Sequence, residues 1–587
     1  MEEPTYDVVY PDSLPDGVYL EKNVYAAMRD GTRIALDIYR PAKGKGPWPA
    51  ILAYSPFQKE RFFESARPAF YCAKGYVCVQ ATERGSGFNE GEFTFHGPLA
   101  AQDGYDIVEW IAAQPWSNGN VAMMGASGYG VMQWITAPLN PPHLKALVVL
   151  GTTDNYRGLC YPGGVLRKPF VLNLISGLTS GAIWPGPIAG KKKPMNVIGE
   201  ILANTEDGPF WWEHGGGWRG IHEIKAPVLN IMNTPNRLHA TSHLRSYADI
   251  KSPKRLLIAP WTGENYQPWV FETAPFNEHI VRWLDFWLKG IDTGIMSEPE
   301  VAVYDNGTGK WRYEDKYPLA RTDWREYYLH GRDVTTTEER GRITGSSPAG
   351  EERPDVYHNI SLNTRMLASY GIAAVLPPDQ PHFAVYTTLP LQEDLRVWGP
   401  VSLTLYASTT EETTCDWSFF VKLGEMVPNG VPLNPATGDP EMKPEANDAW
   451  TPREVQIWSW GCLKAKFREL DESMSKPGMP WHSFRRPATL NPNTVYEFQI
   501  ELQPIFKTFK KGTRIWLKIA GDDALYSTWD VSSHYVEAPV SLAENKVFIH
   551  HSATYPSHLV LPVVPDAPES TPVGPPLGDA VPGAPRF

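Results

Sequence analysis

The chain contains 587 residues, too many for a single hydrophobic core, and this length predicts about three or four domains. Hydrophobic residues make up 42% of the chain and charged residues 20%, proportions that are typical of a globular protein and exclude general intrinsic disorder. The net charge of −12 argues against nucleic acid as a partner, because the basic run at 191–193 is too short to offset it.

Cysteine usage and hydropathy indicate the compartment and the classes of partner. The five cysteines form neither a C-x-x-C pair nor a disulfide framework, which favours a reducing, cytoplasmic location. The first residues lack the apolar stretch of a signal peptide, and no apolar run reaches the roughly 18 residues that cross a bilayer, so no membrane partner is expected. Metal-ligand spacing, a phosphate loop and a dinucleotide fingerprint are all missing from the sequence, so we expect no cofactor.

Apolar runs bounded by turns predict a series of strands in the first half of the chain. Residues 24–40 carry two strand-like runs around the turn at 29–32. The continuous apolar runs that follow are typical of strands buried on both faces, at 49–54, 76–81, 120–124, 145–150, 228–232 and 255–259. Apolar residues at helical spacing predict helices at 103–113 and 278–289. Strands that alternate with helices predict a mostly parallel sheet with helices on both faces.

Two other regions differ in texture from this alternation. Residues 156–219 are rich in glycine, proline and tryptophan, and we expect them to form a mostly helical cap inserted over the sheet. From about residue 325, short alternating runs such as 401–406 and 514–519 predict an antiparallel sandwich or jelly roll. The expected domains are the first part of the α/β domain, the cap, the second part of the α/β domain, the jelly roll and a Pro/Gly-rich tail, at 1–155, 156–219, 220–320, 321–564 and 565–587.

The hexapeptide Gly125-Ala126-Ser127-Gly128-Tyr129-Gly130, called the elbow below, carries the clearest chemical signal. It follows the apolar run 120–124 and precedes a helical pattern at 131–137. A serine among small residues on a sharp turn from strand to helix is the pattern of a nucleophile elbow. The glycines let the chain adopt a strained turn and let the strand and the helix approach closely. We therefore expect the Ser127 hydroxyl to stand clear of the sheet, within reach of a substrate carbonyl.

Short motifs accompany the elbow in a fixed order along the chain. They are Met28-Arg29-Asp30-Gly31-Thr32-Arg33, Arg84-Gly85-Ser86-Gly87, Trp116-Ser117-Asn118-Gly119, Trp287-Leu288-Lys289-Gly290 and Pro556-Ser557-His558-Leu559. In this order the chain resembles the bacterial cocaine esterase family, also described as X-prolyl dipeptidyl-peptidase-like, which includes α-amino-acid ester hydrolases and glutaryl acylases. The resemblance implies an α/β-hydrolase domain, a helical cap and a C-terminal jelly roll.

The resemblance also implies a catalytic set, which this chain matches only in part. Family members use a serine, an aspartate and a histidine, and a tyrosine hydroxyl and a backbone N–H stabilise the oxyanion. Ser127 matches the serine, whereas Gly263 takes the histidine position and Phe57 the tyrosine position. Either Asn236 or Arg237 takes the aspartate position. A positioned base contributes about 10²–10⁴-fold and an oxyanion donor roughly 10²–10³-fold, so conventional hydrolysis is not the favoured prediction.

Four residues are candidates to replace the missing groups around Ser127. Glu264 adjoins the histidine position and becomes a base if burial raises its pKa, although a solvated loop carboxylate is its commoner role. His239 and His243 follow the aspartate position and have the length to turn toward Ser127, although structural histidines are commoner. Arg237 suits an anionic or carbonyl oxygen in an apolar pocket, and an exterior salt bridge is its alternative.

The residues expected to line a substrate pocket lie near the elbow, near the other catalytic positions or in the cap: Phe57, Gly128, Tyr129, Trp211, Trp212, Asn236 and Trp261. For the aromatic residues, core packing is the alternative role. We predict an enzyme that converts a small, largely apolar organic molecule by cyclisation, rearrangement, elimination or isomerisation, as in secondary metabolism. Two alternatives stay open, a serine hydrolase with a relocated base and a non-catalytic binding protein. A homo-oligomer is a further expectation.

Overall fold

The structure is a computed structural model of the chain. It describes residues 17–57, 59, 68–183, 191–236, 238–259, 274–331, 341–358, 383–410, 417–427, 455–521 and 546–566. Most of the predicted tail lies outside these ranges, and so do Arg237 and the string 260–264 that contains the family's histidine position.

A ten-stranded sheet forms the centre of the described first half of the chain. The strands of this half are β1 (Val18–Ala27), β2 (Arg33–Pro41), β3 (Trp48–Ser55), β4 (Val77–Thr82), β5 (Gly91–Glu92), β6 (Ser117–Ala126), β7 (Leu144–Leu150), β8 (Lys192–Lys193), β9 (Val228–Asn233), β10 (Lys254–Ala259), β11 (Val301–Asp305) and β12 (Lys310–Glu314). The order in the sheet is β1-β2-β4-β3-β6-β7-β9-β10-β11-β12, while β5 pairs with β8. The pairs from β4 to β11 are parallel, and antiparallel pairs complete both edges.

Helices pack on both faces of this sheet. The helices are α1 (Pro68–Ala73), α2 (Pro98–Ala112), α3 (Gly128–Thr136), α4 (Tyr156–Cys160), α5 (Ser176–Ile183), α6 (Val197–Ala203), α7 (Pro209–Glu213), α8 (Ala240–Asp249) and α9 (Ala274–Lys289). Met123 of β6 belongs to a core shared with α2, and Met124 belongs to the opposite core, shared with α9. Because successive residues of a strand point to opposite faces, both faces of β6 are buried. The predicted mostly parallel, helix-covered sheet is confirmed.

The cap consists of α4 to α7 and a π-helical stretch, Pro169–Ile175, all between β7 and β9. Its apolar residues, among them Phe170 and Trp211, form one cluster with Phe57 and Leu238. Phe57 follows β3 and Leu238 follows β9, so the cap packs on the loops at the carboxyl ends of the parallel strands. Ligands of open α/β sheets bind at this end.

The second half of the chain forms a separate antiparallel domain. Its strands are β13 (Asp323–His330), β14 (Gly341–Thr344), β15 (Asp355–His358), β16 (Phe383–Thr387), β17 (Leu395–Thr409), β18 (Ser418–Met426), β19 (Val455–Lys464), β20 (Tyr496–Phe509), β21 (Arg514–Ala520), β22 (Lys546–His550) and β23 (His558–Val563). They follow the order β15-β22-β17-β20-β19-β18-β21-β16-β14-β13-β23. Because β23 pairs with both β13 and β17, the sheet closes on itself around an apolar core, as the predicted jelly roll requires.

The two sheets meet at the end of β11. The buried Asp305 carboxylate accepts the backbone N–H of Thr508, from β20, and that of Gly307, each at 2.8 Å. A Cβ on Gly307 would lie 1.8 Å from the Thr508 carbonyl oxygen, so only glycine permits this approach. The contact fixes the jelly roll against the α/β domain at the carboxyl end of its parallel strands.

Candidate active site

Ser127 lies on the turn between β6 and α3, with φ 53° and ψ −120°. A positive φ is uncommon for a residue other than glycine. The conformation is held by hydrogen bonds: the Ser127 N–H donates to the carbonyls of Leu150 (3.2 Å) and Gly151 (3.1 Å) after β7. The Ser127 carbonyl accepts the N–H groups of Gly130 (2.9 Å) and Val131 (3.0 Å). A serine held in a strained strand-to-helix turn is the geometry of a nucleophile elbow.

Two glycines of the elbow allow close approaches that a side chain would block. A Cβ on Gly125, where φ is +149°, would lie 2.5 Å from the Cβ of Tyr129. A Cβ on Gly128 would lie 2.6 Å from the Phe57 ring. The first approach permits the turn, and the second brings the Phe57 ring directly against the first residue of α3.

Thr152, after β7, connects the elbow to His243 of α8. Its hydroxyl donates to the Ser127 carbonyl at 2.5 Å, and its backbone N–H donates to Nε2 of His243. The other ring nitrogen, Nδ1, lies 2.7 Å from Oδ1 of Asn230, in β9. Because Nε2 accepts a backbone N–H, the proton of the neutral ring is on Nδ1, which donates to Asn230. His243 is therefore a buried support behind the elbow.

This geometry argues against the predicted role of His243 as a relocated base. Both ring nitrogens have partners, so no lone pair remains to receive the Ser127 proton. Burial lowers the pKa of His243 to about 3. An imidazole with so low a pKa is a weak proton acceptor near neutral pH, where a general base works best with a pKa close to the operating pH.

Asn236, one of the two candidates for the family's aspartate position, organises the turn after β9. Its side-chain oxygen accepts the backbone N–H groups of Leu238 and His239, each at 3.0 Å. Its amide nitrogen donates to Oδ1 of Asn233, at the end of β9, at 2.8 Å. Asn236 is buried and carries no charge. At this position it orders the backbone ahead of α8, and it does not supply a carboxylate.

His239 is also buried, immediately before α8. Burial lowers its pKa well below the ordinary value, and the nearby His243 and Arg167 lower it further. The ring is therefore neutral and weakly basic. This low basicity weakens the predicted role of His239 as a relocated base.

Phe57 closes the wall of the site opposite α3. Its backbone N–H donates to the Ser55 hydroxyl at 2.9 Å, which fixes the end of β3. Two residues later, Nζ of Lys59 lies 2.5 Å from a carboxylate oxygen of Asp37, in a buried ion pair. The loop is thus anchored on both sides of an apolar ring. The group beside the elbow on this side is therefore the apolar Phe57 ring, which has no hydroxyl to donate.

Trp211, Tyr129 and Trp212, three of the aromatic residues predicted to line the pocket, each have different neighbours in the structure. Trp211 belongs to the same apolar cluster as Phe57, and its indole N–H donates to the Asn204 carbonyl at 2.7 Å. Tyr129 packs on Ala53 of β3, beneath the elbow.

Trp212, the third of these aromatics, has polar partners. Its indole N–H donates to Oδ2 of Asp207 at 3.1 Å, and the Arg219 guanidinium lies 4.8 Å from its ring centre. Trp212 is therefore outside the cluster that contains Phe57. Trp211 is brought to the site, whereas Trp212 is not.

The remaining predicted site residues, Arg237, Trp261 and Glu264, lie outside the described residues, as does Gly263. Within the described ranges, no group of three or more His, Cys, Asp and Glu side chains is placed to hold a metal ion. No helix in that part of the chain is long and apolar enough to cross a membrane.

Thr152 and Asn230 are functional supports that the sequence reasoning missed. Asn230 is the only polar residue within the predicted strand 228–232, and a polar side chain in a fully buried strand requires a partner. That signal was available and pointed to a buried hydrogen bond. Thr152 carries no such signal, because threonines are ordinary in loops.

Two family profiles match the chain. The profile of the X-Pro dipeptidyl-peptidase (S15 family) matches residues 30–263. The profile of the X-Pro dipeptidyl-peptidase C-terminal non-catalytic domain matches residues 293–560. The first match contains the elbow and the cap, and the second contains the jelly roll up to the first residues of β23.

Individual relatives match over almost the full length. The cocaine esterase of Rhodococcus sp. (strain MB1 Bresler) is 26% identical over 94% of this chain and 99% of its own. The structure of a CocE/NonD family hydrolase from Staphylococcus aureus superposes with a TM-score of 0.76 at 20% identity, covering 96% of this chain and 99% of that one. An aminopeptidase from a Thaumarchaeota archaeon gives a TM-score of 0.69 at 19% identity, over 96% and 100% of the two chains. The two structures show the shared fold.

Proposed function

Since the chain belongs to the cocaine esterase-like and X-Pro dipeptidyl-peptidase-like family of α/β hydrolases, we propose that it is an enzyme of this family whose reaction is not hydrolysis. Its named relatives are hydrolytic enzymes, an esterase and peptidases. The proposed substrate is a small, largely apolar organic molecule, and the proposed reaction is a cyclisation, rearrangement, elimination or isomerisation. The observation that carries the proposal is a well-formed elbow whose described surroundings provide no effective base for Ser127.

The first support is the turn after β9. The family's aspartate orients the histidine that takes the serine proton. Here Asn236 is one of the two candidates for the aspartate position. The hydrogen bonds described for its side chain are all made to other residues of the turn, Asn233, Leu238 and His239. An amide cannot stabilise an imidazolium as a carboxylate does. The chain's Gly263, at the family's histidine position, agrees with this loss.

The second support is the apolar wall. Phe57 stands where the family has its hydroxyl donor, and its ring lies against Gly128. The surrounding cluster is hydrocarbon and aromatic, with Val131, Phe170 and Trp211 among its members. Pockets of this character bind ligands mainly by apolar contact and a few polar groups. Such a pocket favours reactions that depend on shape and exclusion of water.

Isotope labelling tests the proposal directly. The protein is incubated with a panel of small apolar esters, lactones and polyenes in water enriched in oxygen-18, and the products are followed by mass spectrometry. A non-hydrolytic reaction forms product without incorporating the label: an isomerisation or rearrangement leaves the mass unchanged, and an elimination lowers it by the mass of the leaving group. We expect such conversion in the wild type and in Ser127→Ala. Label incorporated into a carboxylic acid product, abolished by Ser127→Ala, would contradict the proposal.

The second candidate function is hydrolysis by Ser127 with a relocated base. The strained φ of Ser127 favours it, because strain at one residue is commonly retained for a chemical role. The backbone N–H of Gly128 also has no acceptor among the described residues, so one oxyanion donor is kept. His239 and Glu264 are the remaining bases for this candidate. The same oxygen-18 experiment distinguishes it, since only hydrolysis transfers oxygen from water to the product.

A further inference from the structure

A cavity of about 130 Å³ lies between the cap and the jelly roll. Its walls come from three segments, residues 153–167, 238–245 and 460–503, with Asp207 beside them. None of the described lining residues belongs to the elbow. A cavity of comparable volume holds a single six-membered ring. This space is therefore large enough for a small organic ligand.

Arg157, from α4, is a buried cation of this cavity that no carboxylate of the described residues contacts. It is 3% exposed, and burial lowers its pKa to about 10, so the side chain stays a cation at neutral pH. One guanidinium nitrogen donates to the Thr205 carbonyl at 2.7 Å, and the group lies 4.2 Å from the ring centre of Phe484. Its Nε–H has no hydrogen-bond acceptor among the described residues, and no described carboxylate lies within 4.0 Å of the group. A buried cation without an anionic partner is costly.

The other described charges of the cavity, apart from Arg167, have partners within the protein. Arg245 lies 3.3 Å from the Glu501 carboxylate. The Asp154 carboxylate accepts the hydroxyl proton of Ser246. Asp207 accepts the Trp212 indole N–H, as described above. Asp207 and Glu206 act on Arg157 through space and raise its pKa, but no described carboxylate is in contact with its guanidinium.

Aromatic rings form much of the remaining wall. Tyr161 and Phe484 lie on the side of Arg157, and Trp460 and Trp481 line the cavity from the jelly roll. Flat apolar surfaces around one guanidinium suit a ligand that has a compact hydrocarbon body and one carboxylate. We propose that this cavity binds a small monocarboxylate, its charge on Arg157 and its body between the aromatic rings, at a site that shares Leu159, Tyr161 and Leu238 with the cluster around Phe57 but has no elbow residue in its described lining.

Binding to the full-length protein tests this proposal. The probes are cyclopentanecarboxylate and its neutral counterpart cyclopentanecarboxamide, which have the same shape and do not absorb the light that excites tryptophan. Calorimetry and tryptophan fluorescence should show one saturable site that binds the carboxylate at least about tenfold more tightly than the amide. Equal affinity for the two probes, or no saturable binding of the carboxylate, would overturn the proposal.

Variants locate the site. Arg157→Gln should weaken carboxylate binding by about tenfold or more, with little change for the amide. Arg468→Gln is the matched control, because Arg468 also lies over an aromatic ring, 4.4 Å from the centre of Tyr496, and donates to backbone carbonyls outside the cavity. Equal weakening in both variants would count against the site.

A second measurement applies if circular dichroism shows that Arg157→Gln is unfolded. Crystals of the wild type are soaked in 5-bromo-2-furoate, a five-membered ring carboxylate, and the bromine is located by its anomalous scattering. Bromine between Trp460 and Trp481 supports the proposal. Bromine beside Ser127 alone, or at neither place, would refute it.

Discussion

The elbow after β6 and the Asn236 turn after β9 stand at the same edge of one sheet, and they differ in what they retain. The elbow keeps a serine at φ 53°, the glycines that permit the turn and the hydrogen bonds that hold it. The Asn236 turn keeps its backbone hydrogen bonds, with an amide oxygen in place of a carboxylate oxygen. Both turns keep the hydrogen bonds that define their backbone shape, whereas the Asn236 side chain carries no negative charge.

The difference shows that geometry and charge are separable in this fold. A carboxylate and an amide each present an oxygen that accepts N–H bonds, so the turn forms with either. An elbow depends on steric freedom, which only glycine provides at the tightest position. An exchange between carboxylate and amide at Asn236 therefore changes the charge of this turn and keeps its acceptor oxygen, while a substitution at the elbow glycines disturbs the scaffold itself.

The largest effect is expected from Gly125→Ala. The added Cβ would lie 2.5 Å from the Cβ of Tyr129, at a φ of +149°. Overpacking and backbone strain should together lower the free energy of unfolding by about 3 kcal/mol, measured by urea titration. The matched control is Gly177→Ala in α5, where a Cβ meets nothing within 4 Å. Equal stability of the two variants would contradict the steric account of the elbow.

Asn236→Ala should have the next largest effect. It removes the acceptor of two backbone N–H groups and the donor to Asn233, all buried. The expected loss is about 2 kcal/mol in the free energy of unfolding. Asn236→Asp keeps the acceptor and should lose less than the alanine variant. If aspartate is the more damaging of the two, the turn does not tolerate the charge, and the separation of geometry from charge fails.

His243→Gln should change the pH dependence of stability. The folded pKa of His243, about 3, lies below its unfolded value, so the unfolded chain binds the proton more tightly. Stability is full above the unfolded pKa of about 6.5 and is lost as pH falls toward 3, by up to about 1.4 kcal/mol per pH unit. Between these two pKa values the variant should lower the slope of stability against pH by the contribution of one bound proton, about 1.4 kcal/mol per pH unit. His279→Gln, whose pKa burial also lowers to about 3, should give the same reduction. If His279→Gln lowers the slope and His243→Gln leaves it unchanged, His243 is not a buried, neutral residue in the folded protein.

The smallest effect on stability is expected from Phe57→Tyr. The ring already packs against Gly128, and the substitution adds one hydroxyl to the same ring. We expect a change of less than about 1 kcal/mol in the free energy of unfolding, since the aromatic body is preserved. A loss of 3 kcal/mol or more in a thermal or urea transition would show that the site has no room for the family's tyrosine.

Much of the fold could be predicted because its signals are local and repeated. Strands β3, β4, β6, β7, β9 and β10 are continuous apolar runs, and β17 to β21 include the alternating runs expected of the jelly roll. The helix predicted at 103–113 begins earlier, at Pro98, because proline suits the first turn of a helix although it interrupts the apolar pattern.

The site was less predictable because side-chain partners come from distant elements. Ser127 and its turn follow from six neighbouring residues, and the sequence placed them correctly. The role of His243 depends on Thr152, 91 residues away, and no local pattern reports that pairing. The position of His243 in the sequence, shortly after β9, is compatible with a general base or with a buried structural histidine. Its hydrogen bonds to Thr152 and Asn230 favour the structural role.

The most direct test of the central claim is the rate at which a fluorophosphonate labels Ser127. The wild type is compared with Ser127→Ala and with two triple variants, Phe57→Tyr/Asn236→Asp/Gly263→His and Phe57→Tyr/Arg237→Asp/Gly263→His, which place the aspartate at each of the two candidate positions. A missing base and oxyanion donor predict that one of the two triple variants labels at least about 10²-fold faster than the wild type. Rapid stoichiometric labelling of the wild type at Ser127, with no gain in either triple variant, would contradict the account and identify an active serine hydrolase.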